Sequence, residues 1–142
     1  MWGSVIAVVG TLLGSVTAFL LQQISTRTTT LRRDRLVAVT ALTVALADHR
    51  RAMWVREELR LTGAGPAAYE AARSESHTTR SAITAPLTTL AMLAPDLSAS
   101  AQRAAEAVYA LRAAADLQTL TARRATAIEA SDRLVRVAAK AI

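Results

Sequence analysis

Two histidines are the side chains best suited to binding a metal ion or moving a proton, and neither has a co-ligand at helical spacing. A helical metal site pairs a histidine with a carboxylate or a second histidine three or four residues away. Around His49 those positions hold Ala, Leu, Ala and Met, and around His77 they hold Arg, Ser, Arg and Ser. We therefore predict no metal ion and no cofactor, with a site shared by the two histidines left as an alternative.

Nucleophilic catalysis also lacks a suitable arrangement of residues. Ser76 and His77 are direct neighbours, as are Asp48 and His49, and neighbours on a helix point about 100° apart. The sequence has no cysteine, no Gly-rich phosphate loop and no nucleophile elbow. Its eleven carboxylates are scattered, with no pair in an apolar setting. The sequence therefore predicts a protein that is not an enzyme.

The segment from Asp48 to Arg60 gathers arginines around a tryptophan. Arg50 and Arg51 precede Trp54 by four and three residues, so a guanidinium group can lie over the indole ring. We interpret these three residues as a patch for a protein partner or an acidic ligand, and packing of the tryptophan at the rim of a bundle is the alternative. Nucleic acid is not favoured, because aromatic residues are few and no helix-turn-helix is recognisable.

The first element that positions these residues is an apolar run over residues 2–21, and no charged side chain occurs before Arg27. About 20 apolar residues in a helix match a hydrocarbon core of about 30 Å. The run predicts a transmembrane helix over residues 1–24, with a cleaved signal peptide and a buried core helix as alternatives. Small residues recur along one face of it and predict self-association there. These residues are Gly3, Ala7, Gly10, Gly14 and Ala18.

A basic juxtamembrane segment follows over residues 25–35. It carries half of the net charge of +6, which favours a lipid surface over a nucleic-acid groove. The positive-inside rule then predicts a single-pass protein of the cell membrane, with its N-terminus outside and its C-terminal domain cytoplasmic. The arginines of the segment are expected to contact anionic lipid headgroups. They are Arg27, Arg32, Arg33 and Arg35.

The pattern of the remaining residues, 36–142, predicts an antiparallel helical bundle. The predicted fold class is therefore all-α, with an N-terminal transmembrane helix followed by this bundle. Apolar residues recur at spacings of three and four, and reflection about residues 64–65 places Leu46 opposite Ile83 and His49 opposite Arg80. The predicted helices cover about 31–62, 66–94, 98–115 and 117–142, with a kink at Pro86 and a turn near Asp116. The pattern leaves open whether the last two are one helix and whether the first continues the anchor.

Three stretches resemble the small actinomycete membrane proteins labelled KilB-like. They read MWGSVIAVVGTLLGSV, LRRDRLVAVTAL leading into ADHRRAMWVRE, and SHTTRSAITAPL. The resemblance covers about the first 90 residues and implies a part in conjugative plasmid transfer, but it defines no active site.

We thus predict a non-enzymatic membrane protein that forms a homo-oligomer, with coiled-coil character, through its first helix. Its bundle is expected to face transfer proteins or other membrane-associated proteins. A membrane-perturbing or pore-forming protein and a nucleic-acid-binding bundle are the alternatives.

Overall fold

The computed structural model describes the backbone of residues 2–142 and the side chains of residues 17–142. Four α-helices follow one another: α1 covers Trp2–Leu61, α2 Pro66–Leu93, α3 Ser98–Tyr109 and α4 Leu117–Ala141. A short 3-10 helix, Pro95–Leu97, lies between α2 and α3. Every regular element of this part of the chain is helical, which confirms the all-α prediction. The chain divides into two compact units, residues 1–34 and residues 35–142.

The prediction of a transmembrane helix over residues 1–24 is wrong. Among the residues that the structure describes, no helix is long and apolar enough to cross a membrane. The described side chains of α1 begin at Thr17 and soon become polar, because Gln22, Gln23 and Arg27 follow. The predicted cell-membrane localisation depended on this span and is therefore also wrong. The alternative of a pore built from packed spans has the same basis and is not supported.

The predicted contact of the basic segment, residues 25–35, with lipid headgroups stays a prediction. Arg27, Arg32 and Arg33 are exposed side chains of α1. Arg35 is half-buried, and its Nε donates to the carbonyl of Leu93, 2.8 Å away, near the C-terminal end of α2. This arginine therefore supports the bundle by binding a helix end.

Residues 2–34 are helical, and the described side chains of this unit are largely exposed. Its apolar side chains Phe19, Leu20, Leu21 and Ile24 are between 51% and 64% exposed. A run of threonine hydroxyls, at Thr26, Thr28, Thr29 and Thr30, donates to the carbonyls four residues earlier, each at 2.9 Å. Ala18 is also exposed, whereas the rest of the predicted small-residue face, Gly3, Ala7, Gly10 and Gly14, lies outside the described side chains.

In the unit of residues 35–142, a tight turn joins α1 to α2. Gly63 has φ 70°, a left-handed conformation in which a side chain would be strained, and it lies two residues after Leu61, the last residue of α1. The amide of Ala64 donates to the carbonyl of Leu59 at 3.0 Å and so satisfies one free end of the helix. Pro66 begins α2, where its fixed φ and missing N–H have no cost.

Side-chain hydrogen bonds between α1 and α2 show that the two helices are antiparallel. Arg35 reaches Leu93, and further along α1 the Nδ1 of His49 lies 2.9 Å from the Oγ1 of Thr79. The predicted register placed His49 opposite Arg80, so the observed partner is one residue away. α2 continues as one helix through Pro86, the position of the predicted kink.

The core of the bundle combines leucines with small residues. Leu46 and Ile83, which the register places opposite each other, are both fully buried in one apolar cluster. Ala101, Ala104 and Ala105 of α3 are buried in the same cluster, and side chains of this size allow helices to approach closely. The fully buried large apolar side chains are Leu42, Leu46, Ile83, Leu90, Leu97, Val108, Leu111, Leu120 and Leu134.

A turn separates α3 from α4 close to the predicted position. α3 ends at Tyr109 rather than near residue 115, and α4 begins at Leu117. Asp116 caps α4, because its Oδ1 accepts from the amide of Thr119 at 2.6 Å. This backbone hydrogen bond is the main reason that the pKa of Asp116 is lowered from its usual value. The last two predicted helices are therefore separate.

A buried carboxylate from α1 holds this turn in place. Ala113 has φ 56°, which costs a non-glycine residue on the order of 1 kcal/mol. Its amide donates to the Oε2 of Glu57 at 3.1 Å, and the Nε of Arg60 donates to the same oxygen at 2.8 Å. Arg60 also donates to the carbonyl of Ala114. The strained turn thus depends on two side chains of another helix.

Candidate functional site

An arginine-lined cleft of about 270 Å³ opens between α1, α2 and the C-terminal end of α3. Because consecutive turns of α1 and α2 face each other here, three residues of each helix reach the cleft, and the turn after α3 adds a third wall. We call it the arginine cleft. Its lining residues are His49, Met53, Arg56, Ser76, His77, Arg80, Tyr109 and Arg112.

Arg56 is the most buried of the three arginines, and only 11% of its side chain is exposed. Its Nη1 donates to the Oγ of Ser76 at 3.1 Å, while the Ser76 hydroxyl donates to the carbonyl of Arg73 at 2.7 Å. Its guanidinium carbon also lies 6.0 Å from the ring centroid of Tyr69. Within the described part of the protein, its buried Nε makes no hydrogen bond, which leaves one strong donor without an acceptor.

Arg80 is held flat against an aromatic ring. Its guanidinium carbon lies 3.4 Å from the centroid of Tyr109, a stacking distance that combines cation–π attraction with fixed orientation. The same tyrosine meets the ring of His49 edge-on, with 5.8 Å between the ring centroids. One tyrosine therefore positions a buried imidazole on one side and an exposed guanidinium group on the other.

His49 is neutral in this environment. It is only 2% exposed, and burial, with the positive charges of Arg80 and Arg56 as smaller causes, lowers its pKa from 6.5 to about 4. Thr79 donates its hydroxyl hydrogen to the carbonyl of Glu75 at 3.1 Å, so the hydroxyl accepts from the Nδ1–H of His49. The imidazole is a structural hydrogen-bond donor and adds no positive charge to the cleft.

The charge of the arginine cleft is strongly one-sided, because no carboxylate lines it in the described structure. The nearest acid is Glu57, whose Oε1 lies 3.8 Å from the Nε of Arg56 and whose Oε2 is bound by Arg60. Glu57 is only 1% exposed and shares its single charge between these two arginines. With Arg80 and Arg112 included, four guanidinium groups face one carboxylate, which leaves an excess of three positive charges.

The predicted partner patch is arranged differently from the prediction. The guanidinium carbon of Arg124, from α4, lies 5.0 Å from the centroid of Trp54, which packs half-buried against the core. Arg51 is 78% exposed and pairs with Asp48 at 3.7 Å. The pKa of Arg50 is lowered, mainly by burial and then by the charge of Arg124. The arginine beside the indole therefore comes from another helix.

The two histidines, which have no local co-ligand, do meet at the arginine cleft. Among the described residues, no group of three or more His, Asp or Glu side chains is arranged to hold a metal ion. The cleft therefore contains both histidines but no third ligand among the described residues, and its guanidinium groups would repel a cation.

Sequence reasoning missed most of the cleft, although two signals were present. Glu57 lies four residues after Met53, the last member of the apolar stripe of α1. Extending the stripe to this position would have predicted a buried carboxylate. The hairpin register already placed His49 beside Arg80. Nothing in the sequence indicates that Tyr109 and Arg112 join them, because their position depends on how α3 packs.

Comparison with known proteins connects this bundle to one family. A family model described as KilB plasmid transfer protein matches residues 36–142. The protein "Protein KilB" of Streptomyces lividans is 62% identical over 140 residues, which cover 96% of this chain and 95% of that protein. No solved structure matches the chain. The residues matched by the family model include all of the arginine cleft.

Proposed function

The chain belongs to the KilB plasmid transfer protein family, which links it to plasmid transfer, and we propose that in this role it is a non-enzymatic assembly protein. In this proposal it self-associates through the N-terminal part of α1 and presents its helical bundle to a protein partner. The observation that carries the proposal is the exposed apolar surface of residues 19–31, which has no described partner segment in the chain.

The exposed apolar residues follow the spacing of an association seam. Leu21, Ile24, Thr28 and Leu31 recur at intervals of three and four, the spacing of a coiled-coil seam. Leu21, Ile24 and Leu31 are 64%, 61% and 42% exposed. Covering such side chains gains about 25 cal/mol per Å² of apolar surface, and a second copy of the same helix supplies a matching seam.

The small residues predicted from the sequence continue this seam in phase. Gly3, Ala7, Gly10 and Gly14 have the same alternating spacing, and Thr17 connects them to Leu21. The arginine cleft supports a binding role over a catalytic one. It provides fixed positive charge, while its one buried imidazole is too weakly basic to take a proton near neutral pH.

The test is the molecular mass of the purified full chain by sedimentation equilibrium at micromolar concentration. We expect an oligomer for the unmodified chain and a monomer for the double variant Leu21→Asp/Ile24→Asp, because two charges in the seam oppose its burial. The matched control is Gln22→Asp/Thr26→Asp, which adds the same charge to the opposite face of the helix and should leave the mass unchanged. A monomeric unmodified chain, or an equal loss in both variants, would contradict self-association.

Plasmid transfer frequency connects the association to the role. A plasmid carrying Leu21→Asp/Ile24→Asp should transfer at least about tenfold less often than one carrying the control variant, at equal protein level. Equal transfer frequencies for the two plasmids would show that plasmid transfer does not need association through the seam.

A further inference from the structure

We infer that the arginine cleft binds a phosphate-type oxyanion, either inorganic phosphate or the terminal phosphate group of a small phosphorylated ligand. This site is in the bundle, and the inference is independent of self-association through residues 17–31. It rests on charge, on fixed donor geometry and on one buried donor without an acceptor.

The charge of the cleft requires an anion of more than one charge. Arg56, Arg80 and Arg112 line it without a lining carboxylate, and Glu57 shares its one negative charge between Arg56 and Arg60. Like charges held close together are unfavourable unless an anion or solvent compensates them. A phosphate dianion balances the excess of three positive charges better than a single carboxylate.

The donors are held in place before a ligand arrives. Contact with the ring of Tyr109 restrains Arg80, because its guanidinium carbon lies 3.4 Å from the ring centroid. The Ser76 hydroxyl accepts from Arg56 and holds its guanidinium group between α1 and α2. Arginine binds phosphate oxygens through two parallel N–H groups, and donors fixed in advance lose little entropy on binding.

The Nε of Arg56 is buried and has no hydrogen-bond acceptor among the described residues, so the charge of this guanidinium group is only partly compensated inside the bundle. A buried donor of this kind costs about 1–3 kcal/mol when it stays unpaired. Its nearest carboxylate oxygen, on Glu57, is 3.8 Å away and is too far for a hydrogen bond. An oxyanion in the cleft does not reach the buried Nε, but it compensates the charge of the same guanidinium group, because Arg56 lines the cleft.

The volume of the cleft limits the size of the ligand. A space of about 270 Å³ corresponds to roughly nine water molecules at about 30 Å³ each. This accommodates a phosphate group with part of its ester but not a nucleic-acid duplex. Ordinary carboxylates should bind more weakly, because they bring one charge and two oxygens.

Isothermal titration calorimetry of the full chain with inorganic phosphate at low ionic strength tests the inference. We expect a dissociation constant on the order of 0.1–1 mM, weakening as salt is added. Arg80→Gln and Arg112→Gln should each weaken binding about tenfold or more, because each removes one charged donor. The matched control is Arg136→Gln, which removes the same charge from an exposed residue paired with Glu129 and should change binding less than twofold.

Two further titrations identify the source of the phosphate. Stronger binding of glycerol 3-phosphate than of inorganic phosphate would assign the site to a phosphorylated ligand, and the reverse would assign it to the free ion. Acetate should bind at least about tenfold more weakly than phosphate. The inference is overturned if phosphate does not bind, if acetate binds equally well, or if the control variant loses as much as the cleft variants. Since Arg112 is exposed, its variant is expected to stay folded, which circular dichroism verifies.

Discussion

His49 illustrates how one buried side chain is determined by its surroundings. Its position on the apolar stripe of α1 puts it inside the bundle, where Thr79 accepts its hydrogen and Tyr109 packs against its ring. Burial, and to a smaller extent the charges of Arg80 and Arg56, then make protonation unfavourable. The imidazole is therefore retained as a polar but uncharged member of the core.

This residue should make the stability of the bundle depend on pH. Because its pKa falls from 6.5 to about 4 on folding, the unfolded chain binds the proton first as the pH is lowered. The stabilisation is complete above about pH 6.5 and is lost as the pH falls towards 4. Urea unfolding should show a loss of about 2 kcal/mol between about pH 7 and pH 5. His49→Gln should lack that loss, and the exposed control His77→Gln should retain it. A pH dependence equally strong in His49→Gln would assign it to other groups.

At the scale of elements, the turn between α3 and α4 is held from outside. It contains no glycine or proline, and Ala113 takes a left-handed conformation that its own side chain disfavours. Glu57 and Arg60 compensate by bonding the amide of Ala113 and the carbonyl of Ala114. The packing of α4 therefore depends on a charge in α1.

Replacing this charge should destabilise the bundle. Glu57→Gln keeps the shape of the side chain but leaves two buried or half-buried guanidinium groups without a counter-charge. We expect a loss of about 2–4 kcal/mol in the free energy of unfolding, measured with urea. The neighbouring Glu58 is exposed, so Glu58→Gln should change stability by less than about 0.5 kcal/mol. Similar small effects in both variants would show that the turn does not need the carboxylate.

Local patterns predicted the elements better than the contacts between them. The stripe from Val39 to Met53 identified the buried face of α1, because helical spacing decides which side chains share a face. The turn near Asp116 was predicted because the apolar stripe changes phase there. In contrast, Arg124 reaches Trp54 from α4, and no spacing along the chain encodes a contact set by packing. The transmembrane prediction relied on the apolar, uncharged run of residues 2–21, which the described side chains cover only from Thr17 onward.

At the scale of the whole molecule, the described apolar core lies in only one of the two units of the chain. All of the apolar core residues that the structure describes lie between Ala38 and Ala138, within the unit of residues 35–142. The unit of residues 1–34 supplies none of the described core and exposes its apolar side chains. The bundle therefore contains its own sources of stability.

A chain that begins at Thr30 should consequently fold. We expect one cooperative thermal transition, followed by circular dichroism, with a midpoint within about 3 °C of that of the full chain, because a shift of this size reflects less than about 1 kcal/mol. The same chain should be monomeric, since it lacks most of the seam. A shortened chain without a cooperative transition would show that residues 1–29 contribute to the core.

The threonine run after Ile24 makes the surface of this part of α1 less polar than its sequence indicates. Each of these hydroxyls is already occupied by a carbonyl of its own helix. Because the hydroxyl oxygen is bonded to the helix backbone, the methyl group is the part of the side chain left for contact with a partner. A stretch that is polar in composition therefore has an apolar surface. Thr→Ser replacements would strip off those methyl groups while keeping the internal bonds, and Thr→Val replacements would do the opposite.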